Sequence, residues 1–438
     1  MAIAGRFHIA VAASAVRGVV LGLAWLSCVA RCSSTPAPHF SGDFLPLRGR
    51  FLANTAPSTP STPTTPGTKV FDITTYGAKS DGKKINTQAF MKAWVEACHS
   101  GGPAKVVFPP GKFLTGPLVY AGPCDAPMTV EIQGTVLATT DITEYSSPVW
   151  ILFESITGLN LIGNGTFDGQ GQETWMYNDC RDNPSCIMPP TSLKFNKVTN
   201  GLMEGISSLN SKGFHIFLVL SHHLRVNNLN IIAPDQSPNT DGIHISQTDN
   251  VTITSSIIGT GDDCVSIGHG SVNVTVSNIK CGPGHGISVG SLGKYKDEKD
   301  VSGIFVSNCT LKNTTFGVRI KTWADSPPSQ ATGIHFQDIV LDSVKSPIII
   351  DQFYGSKKNK KPSKVKISDV SYKNIRGTTI SVVPVSLQCS SAVPCDGITL
   401  EDIDLAFIGS DRKKALVGNS CLNAKFKATG KQNPPACA

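Results

Sequence analysis

Short apolar segments recur along most of this chain, and their spacing predicts its architecture. Successive segments from position 201 onward begin 22 to 33 residues apart, with the extra residues in turns rich in Gly, Pro and Asn. The segments read GLNL (158), GLME (201), HLRV (223), NVTI (250), NVTV (273), GIFV (303), GIHF (333), KVKI (364) and GITL (397). Short strands at this period, without helices between them, predict an all-β fold, a single-stranded right-handed parallel β-helix. A β-sandwich is the alternative that the pattern leaves open.

One segment near the start of the repeats has a helical pattern instead. In NTQAFMKAWVEACHS, at positions 86–100, an apolar stripe is formed by Ala89, Phe90, Trp94, Val95 and Cys98. Because this helix precedes the repeats, we expect it to cap the N-terminal end of the solenoid.

The N-terminal residues predict export. Residues 1–30 carry only Arg6 and Arg17 as charges, followed by the apolar run VVLGLAWLSCVA, which is typical of a secretory signal peptide and too short for a membrane span. Residues 31–68 are rich in Pro, Ser and Thr, which predicts a spacer, and we expect a catalytic domain over 69–438. The mature protein is expected to be soluble, without a membrane partner.

The charge balance fits a polyanionic partner other than nucleic acid. Loss of the two leader arginines lowers the formal net charge from +7 to +5. The one dense basic run, SKKNKKPSKVK at 356–366, lacks the interleaved aromatic residues that stack on bases, so we expect a solvated loop there and no nucleic acid.

The cysteines indicate disulfides in an exported chain. Of the thirteen cysteines, Cys309 is left over, and its place in the repeat is apolar in other segments, as at Ile279, Ile339 and Val370, which predicts a buried free thiol. Close pairs suggest bonds, although spacing leaves connectivity open, between Cys98 and Cys124, Cys180 and Cys186, Cys264 and Cys281, Cys389 and Cys395, and Cys421 and Cys437. None of these pairs has the spacing of a zinc site, so no metal is expected.

A second strand in each repeat aligns ionisable residues. DGIHI (241), DCVSI (263), HGISV (285) and FGVRI (316) superimpose, so Asp241, Asp263 and His285 are equivalent positions, 22 residues apart each time. Equivalent residues of a β-helix stack about 4.7–4.9 Å apart, which predicts a column with Asp262 beside its middle member. Crowding these three carboxylates should raise the proton affinity of at least one of them.

Three positions further along, the same strands carry a second set of equivalent residues, namely His244, Ser266, Ser288 and Arg319. Lys321 shares the face of Arg319, and these cations reach the acids only if the chain bends where each strand begins. Carboxylates flanked by cations in a solenoid groove indicate acid/base cleavage of an anionic polymer.

The motifs NTD (239–241), GDDC (261–264), GHG (284–286) and RIK (319–321) resemble, in order, the four signature motifs of the polygalacturonases, glycoside hydrolase family 28. The longer stretches SPNTDGIHI, IGTGDDCVSIG, CGPGHGISVGSLGKY and GVRIKTW resemble the plant, pollen-type exopolygalacturonase branch in particular. The similarity runs from about Lys69 to the C-terminus.

This resemblance implies roles for individual residues. Asp262 matches the general acid, Asp241 and Asp263 match the carboxylates that activate water for inversion, and His285 matches the histidine that supports the acid. The residues that match substrate contacts are Asn239, Arg319, Lys321 and, through a short motif, Tyr354.

The implied substrate is polygalacturonate or pectin, cleaved at α-1,4 bonds without a cofactor by a secreted monomer of the plant cell wall. The exo mode rests on the resemblance alone. Endo action stays open, as do a Ca²⁺-dependent pectate lyase and an inactive binding solenoid.

Overall fold

The computed structural model describes residues 67–437, except for 181, 182, 184, 357–360 and 411–416. The predicted leader and almost all of the predicted spacer lie outside these residues. None of the helices within the described part of the chain is long and apolar enough to cross a membrane.

Two sheets contain all the strands of the described residues. The smaller sheet has eleven strands: β5 (Leu118–Ala121), β8 (Val149–Glu154), β11 (Thr191–Asn196), β14 (Ile216–Val219), β17 (Ile243–Ser246), β20 (Val265–Ile267), β23 (Ile287–Leu292), β26 (Phe316–Trp323), β28 (Ser346–Tyr354), β30 (Val385–Gln388) and β32 (Ser420–Leu422). Each of these strands pairs with the next one in the series, so neighbouring coils stack directly.

The larger sheet has 22 strands: β1 (Lys69–Asp72), β2 (Asp81–Ile85), β3 (Ala104–Phe108), β4 (Lys112–Thr115), β6 (Met128–Ile132), β7 (Thr135–Ala138), β9 (Leu159–Gly163), β10 (Thr166–Asp168), β12 (Thr199–Glu204), β13 (Ser207–Leu209), β15 (His222–Asn227), β16 (Asn230–Ile232), β18 (Asp249–Thr254), β19 (Ile257–Gly259), β21 (Val272–Ser277), β22 (Lys280–Cys281), β24 (Val301–Ser307), β25 (Thr310–Lys312), β27 (Ser329–Val344), β29 (Val365–Thr379), β31 (Cys395–Phe407) and β33 (Ala424–Asn433). It consists of two ribbons that merge at β27, which pairs with both β24 and β25.

All strand pairings in the described residues are parallel, for example β14 with β17 and β17 with β20. The three ribbons surround one core of stacked aliphatic side chains, among them Ile243, Val265 and Ile287, each fully buried. Burial of each such side chain contributes about 1.5–3 kcal/mol. The predicted all-β parallel β-helix is therefore confirmed, and the β-sandwich alternative is wrong.

Two details of the predicted repeat are wrong by register. Val370 pairs with Ile334, and the residue that follows Ile339 in the stack of Cys309 is Ile375. The repeat assigned to KVKI at 364 actually falls five residues later, because Ile367 and Val370 are both buried along the long strand β29 and give two acceptable apolar registers. The repeat assigned to 201 begins one residue earlier, since Gly201 pairs with Leu224.

The predicted helix is present as α1 (Thr87–Cys98) and packs against β1, β3 and β5 at the N-terminal end. Phe90 and Trp94 are buried, and the Trp94 indole nitrogen donates a hydrogen bond of 3.0 Å to the Ala121 carbonyl. Val95 does not belong to the buried stripe, because its side chain is 52% exposed. The helix covers the first coils, as predicted for a cap.

The five suggested cysteine pairs are all disulfide-bonded. Cys309 is free and buried, and burial raises the pKa of its thiol to about 11. The prediction of a buried free thiol is therefore confirmed.

Candidate active site

The predicted column lies in the turns that lead into the smaller sheet. Asp241, Asp263 and His285 each stand two residues before the first residue of β17, β20 and β23. These first residues, Ile243, Val265 and Ile287, pair directly with one another. Backbone bonds link the turns themselves, since Gly242 N donates to Asp263 O at 2.9 Å and Cys264 N donates to Gly286 O at 2.8 Å. The column is thus fixed by the same parallel register as the core.

The turns bend enough for the outward residues of the strands to reach these acids. Ser266 Oγ donates a hydrogen bond of 2.6 Å to Asp241 Oδ2, and Ser288 Oγ donates one of 2.8 Å to Asp263 Oδ1. The set His244, Ser266, Ser288 and Arg319 stands in the predicted register. The chain therefore bends where each strand begins, which is the condition under which Arg319 and Lys321 can reach the acids.

Asp263 is a buried carboxylate held by two cations. Arg319 Nη2 lies 2.8 Å from Asp263 Oδ1, and Lys321 Nζ lies 2.9 Å from Asp263 Oδ2. Burial on its own would raise the pKa of Asp263, but Lys321 and Arg319 together hold that pKa down to about 2. Asp263 is consequently ionised throughout the mildly acidic and neutral range.

Asp241 has the opposite environment. Its carboxyl group is buried without a cation in direct contact among the described residues, and Ser266 is its hydrogen-bonded partner. Burial raises the pKa of Asp241 well above its ordinary value, and the nearby charges of Asp262 and Asp263 raise it further. Burial is thus the main cause of the raised pKa of Asp241, and the predicted crowding by the other two carboxylates acts in the same direction.

Asp262 is the most open of the three acids and contacts the column histidine. Its Oδ1 lies 2.9 Å from His285 Nδ1, and the side chains of Asp262 and His285 are 23% and 34% exposed. The same oxygen accepts a hydrogen bond of 2.8 Å from the backbone nitrogen of Asp263. Asp262 and Asp263 are adjacent in sequence, but one faces the histidine and the other faces the two cations.

Two phenylalanines occupy the column positions on either side of the ionisable residues. Phe214 stands two residues before the first residue of β14, and Phe316 stands two residues before Val318, which pairs with Ile287. The Phe316 ring lies 3.9 Å from the Arg319 guanidinium carbon and 5.6 Å from the His285 ring centre. Such stacking holds the guanidinium group in place and excludes water from one side of it.

The remaining predicted substrate contacts flank this cluster. Asn239 lies in the turn before Asp241 with a φ of 55°, and its Nδ2 is buried without a hydrogen-bond partner among the described residues. Tyr354, at the end of β28, has its ring centre 5.5 Å from Lys321 Nζ and packs edge-on against Trp323. The structure therefore brings Tyr354 to one of the two cations.

Sequence reasoning assigned no role to three residues that the structure places in the cluster: His244, Ser266 and Ser288. His244 Nδ1 lies 2.7 Å from Ser266 Oγ, and Ser288 Oγ accepts a bond of 3.0 Å from Arg319 Nε. Burial lowers the pKa of His244 to about 4, with a further contribution from the charge of Lys321. Their alignment with Arg319 on neighbouring strands was the sequence feature that could have indicated a place in the cluster.

One group of side chains in the cluster has the spacing of a metal site. Ligand atoms of Asp262, Asp263 and His285 all lie within 4.8 Å of one another. Both carboxylate oxygens of Asp263 already accept bonds from cationic side chains, whose charge disfavours a further cation. The chemistry of this donor set therefore favours proton transfer over metal binding.

Comparison with known proteins places this chain in a family. Residues 98–429 match the family model described as Glycosyl hydrolases family 28. The chain belongs to glycoside hydrolase family 28. It is 46% identical to a protein of Arabidopsis thaliana named "Exopolygalacturonase clone GBGE184", over 96% of this chain and 95% of that protein. It is also 42% identical to an exopolygalacturonase of Platanus acerifolia, over 83% of this chain and 97% of that protein.

Two solved enzyme structures share the fold. The endo-xylogalacturonan hydrolase of Aspergillus tubingensis superimposes with a TM-score of 0.70 at 27% identity, covering 83% of this chain and 99% of that chain. An exopolygalacturonase of Thermotoga maritima superimposes with a TM-score of 0.65 at 19% identity, covering 79% of this chain and 90% of that chain. The second similarity shows the fold alone.

Proposed function

We propose that this protein is an exopolygalacturonase, which hydrolyses α-1,4 bonds between the galacturonate residues of polygalacturonate or pectin and releases galacturonate from a chain end. The observation that carries the proposal is the cluster of Asp241, Asp262 and Asp263 beside Arg319 and Lys321 in a family 28 chain. The names of the similar plant proteins support the exo mode. The protein acts as a secreted monomer in the plant cell wall, without a cofactor.

Asp262 is the general acid in this proposal. It is the most exposed of the three carboxyl groups, and a general acid has to be accessible to reach the glycosidic oxygen. His285 orients Asp262 through the 2.9 Å contact. Asp241, with its raised pKa, retains a proton where Asp263 has lost one, so Asp263 is the carboxylate that accepts the proton of the attacking water. Asp262 gives its own proton to the glycosidic oxygen as the bond from that oxygen to the anomeric carbon breaks.

Asp241 and Asp263 activate the attacking water. Asp263 is ionised at the pH of the cell wall because Lys321 and Arg319 stabilise its charge. Attack from the face opposite the acid inverts the anomeric carbon, which requires about 6.5–9.5 Å between acid and base carboxyl groups. Asp241 and Asp262 stand on the turns of neighbouring coils, and Asp262 is one residue out of register with Asp241, so their carboxyl groups are on separate turns.

Arg319, Lys321, Asn239 and Tyr354 bind the substrate. The two cations contact Asp263 in the free protein, and a galacturonate carboxylate adds a second anion to the same pair. Asn239 Nδ2 is an unused donor among the described residues, and a sugar hydroxyl or carboxylate would satisfy it. Tyr354 provides an aromatic surface next to Lys321.

Incubation with polygalacturonate, followed by chromatographic sizing of the products at early times, tests the proposal. We expect galacturonate monomer from the start, whereas a ladder of oligomers would show endo action. The same reactions with EDTA, and with EDTA plus excess Ca²⁺, address the lyase alternative. If EDTA abolishes the activity, Ca²⁺ restores it and the products are unsaturated, the enzyme is a lyase that cleaves by elimination and the proposal of hydrolysis is wrong.

A further inference from the structure

The groove floor continues beyond Asp241 toward the N-terminal coils, and its character changes there. Lys194, Phe217 and His244 are in direct register on β11, β14 and β17, and Phe214 takes the column position next to Asp241. A cavity of about 170 Å³ lies over these coils, lined by Lys194, Phe214 and Phe217 on the floor side. Sites that enclose a small molecule are usually about 300–1,000 Å³, so this cavity has room for the end of a chain only.

Three residues separate this cavity from a larger one. The second cavity has a volume of about 560 Å³ and includes Ile142, Tyr145 and Ile187 in its lining. Pro148, Met188 and Pro189 line both cavities, so they form a partition between them. We call Pro148, Met188, Pro189 and the adjacent Phe214 the groove wall.

The wall is attached to the turns that carry the column. Gly213 N, beside Phe214, donates a hydrogen bond of 3.1 Å to the Pro190 carbonyl. Asn178 Nδ2 donates one of 3.4 Å to the Pro238 carbonyl, next to Asn239. The Trp175 indole nitrogen donates one of 2.9 Å to the Ser211 carbonyl. The first bond holds the wall itself, and the other two tie the segment that leads to Met188 to the turns before β14 and β17.

We propose that the groove wall ends the substrate groove on the Asp241 side and thereby restricts the enzyme to cleavage near a chain end. A polymer that lay along the smaller sheet would have to pass through Met188 and Pro189 to continue beyond Phe214. Only a terminal part of the chain fits between the wall and the column. This inference rests on the proposed function, because it assigns the exo mode to particular residues.

The test compares products of the unmodified enzyme with those of the double variant Met188→Ala/Phe214→Ala. We expect monomer alone from the unmodified enzyme, and dimers and longer oligomers at early times from the variant. The loss of polygalacturonate viscosity per bond cleaved should rise severalfold, because internal cleavage shortens a polymer faster than trimming. Met176→Ala is the matched control, since Met176 is 75% exposed, lies on the same segment and lines neither cavity.

The outcomes separate this inference from the proposed function. If the unmodified enzyme and the folded, active double variant both release monomer alone, the wall is not the determinant, and the exo assignment stands. A ladder of products from the unmodified enzyme would overturn both. Should the double variant fail to fold by circular dichroism, Met188→Ala alone decides, because Met188 is 40% exposed and its truncation is tolerated at such a site.

Discussion

At the residue scale, the three carboxyl groups of the cluster differ in what surrounds each of them. Asp263 is stabilised as an anion by Arg319 and Lys321, Asp241 is buried beside a serine, and Asp262 is open and contacts His285. The two motifs NTD and GDDC therefore supply Asp241 and Asp263 with different proton affinities, which acid and base catalysis require.

The substitution Asp262→Asn should remove the proton that reaches the leaving oxygen. We expect kcat to fall by roughly 10²–10⁴-fold, the usual contribution of a general acid. The protein should fold and be secreted as before, since Asp262 is part-exposed. Steady-state kinetics on polygalacturonate measure the effect, and Asp342→Asn, at a surface pair with Lys312, is the control expected to be unaffected. Retention of most of the turnover would exclude Asp262 as the acid.

The substitution Lys321→Ala should change both substrate binding and the pH profile. Lys321 is the main group that lowers the pKa of Asp263 against the effect of burial, so without it this pKa rises and the acidic limb of kcat/KM moves to higher pH. The loss at the optimum should be on the order of 100-fold, as for other buried electrostatic groups in active sites. Lys312→Ala, at an exposed lysine, serves as the control. An unshifted acidic limb would show that Lys321 does not set the ionisation of Asp263.

The substitution Asp241→Asn should inactivate the enzyme and stabilise its fold. A carboxyl group with a raised pKa binds its proton more tightly in the folded state, so folding becomes less favourable as pH rises through that pKa. Asn carries no such charge, and we expect a gain of roughly 0.5–2 kcal/mol near neutral pH. At about pH 3.5, below the ordinary aspartate pKa of about 3.9, the gain should vanish. Thermal melting at both pH values checks this, and a lower melting temperature at neutral pH would contradict it.

At the element scale, the disulfide Cys264–Cys281 joins the turn of the two adjacent acids to β22 in the other sheet. Replacing both cysteines by serine should lower the free energy of unfolding by about 3 kcal/mol, from the entropy of the closed loop. It should also lower kcat, because Cys264 directly follows Asp263. Denaturant unfolding and kinetics measure the two effects.

The bond Cys421–Cys437 provides the matched control for that variant. It closes a loop of nearly the same length, 16 residues against 17, and lies at the C-terminal end of the solenoid. Its removal should cost similar stability and leave kcat unchanged. Equal losses of kcat in both variants would mean that the disulfide near Asp263 has no special role in holding the turn.

The sequence predicted the elements best where coil length is constant. Asp241, Asp263 and His285 are 22 residues apart, so their stacking followed from counting. Around Val370, two apolar registers were possible and only packing selects one. The sequence also could not predict which acid holds a proton. That depends on how deeply each acid is buried and on how close Ser266 and Lys321 lie to it.

At the scale of the whole molecule, a positively charged protein acts on a polyanion, so salt should weaken the encounter. Between 0.1 M and 1 M salt the screening length falls from about 10 Å to about 3 Å. We expect KM for polygalacturonate to rise, with kcat nearly constant because Arg319, Lys321 and Asp263 are buried. Digalacturonate, with two charges, should show a smaller effect. An equal rise for both substrates would contradict long-range attraction.

Because each coil pairs only with the coils next to it, the length of a turn can change in evolution independently of the catalytic acids. The turn at 293–300, between β23 and β24, already makes one coil longer than the two coils before it without altering the pairing of Ile287 with Val265. Insertions or deletions in such turns remodel the edges of the groove, and the spacing of the acids stays constant. A lineage with this architecture can therefore exchange one mode of polymer cleavage for another through changes in loop length, while its chemistry is inherited intact.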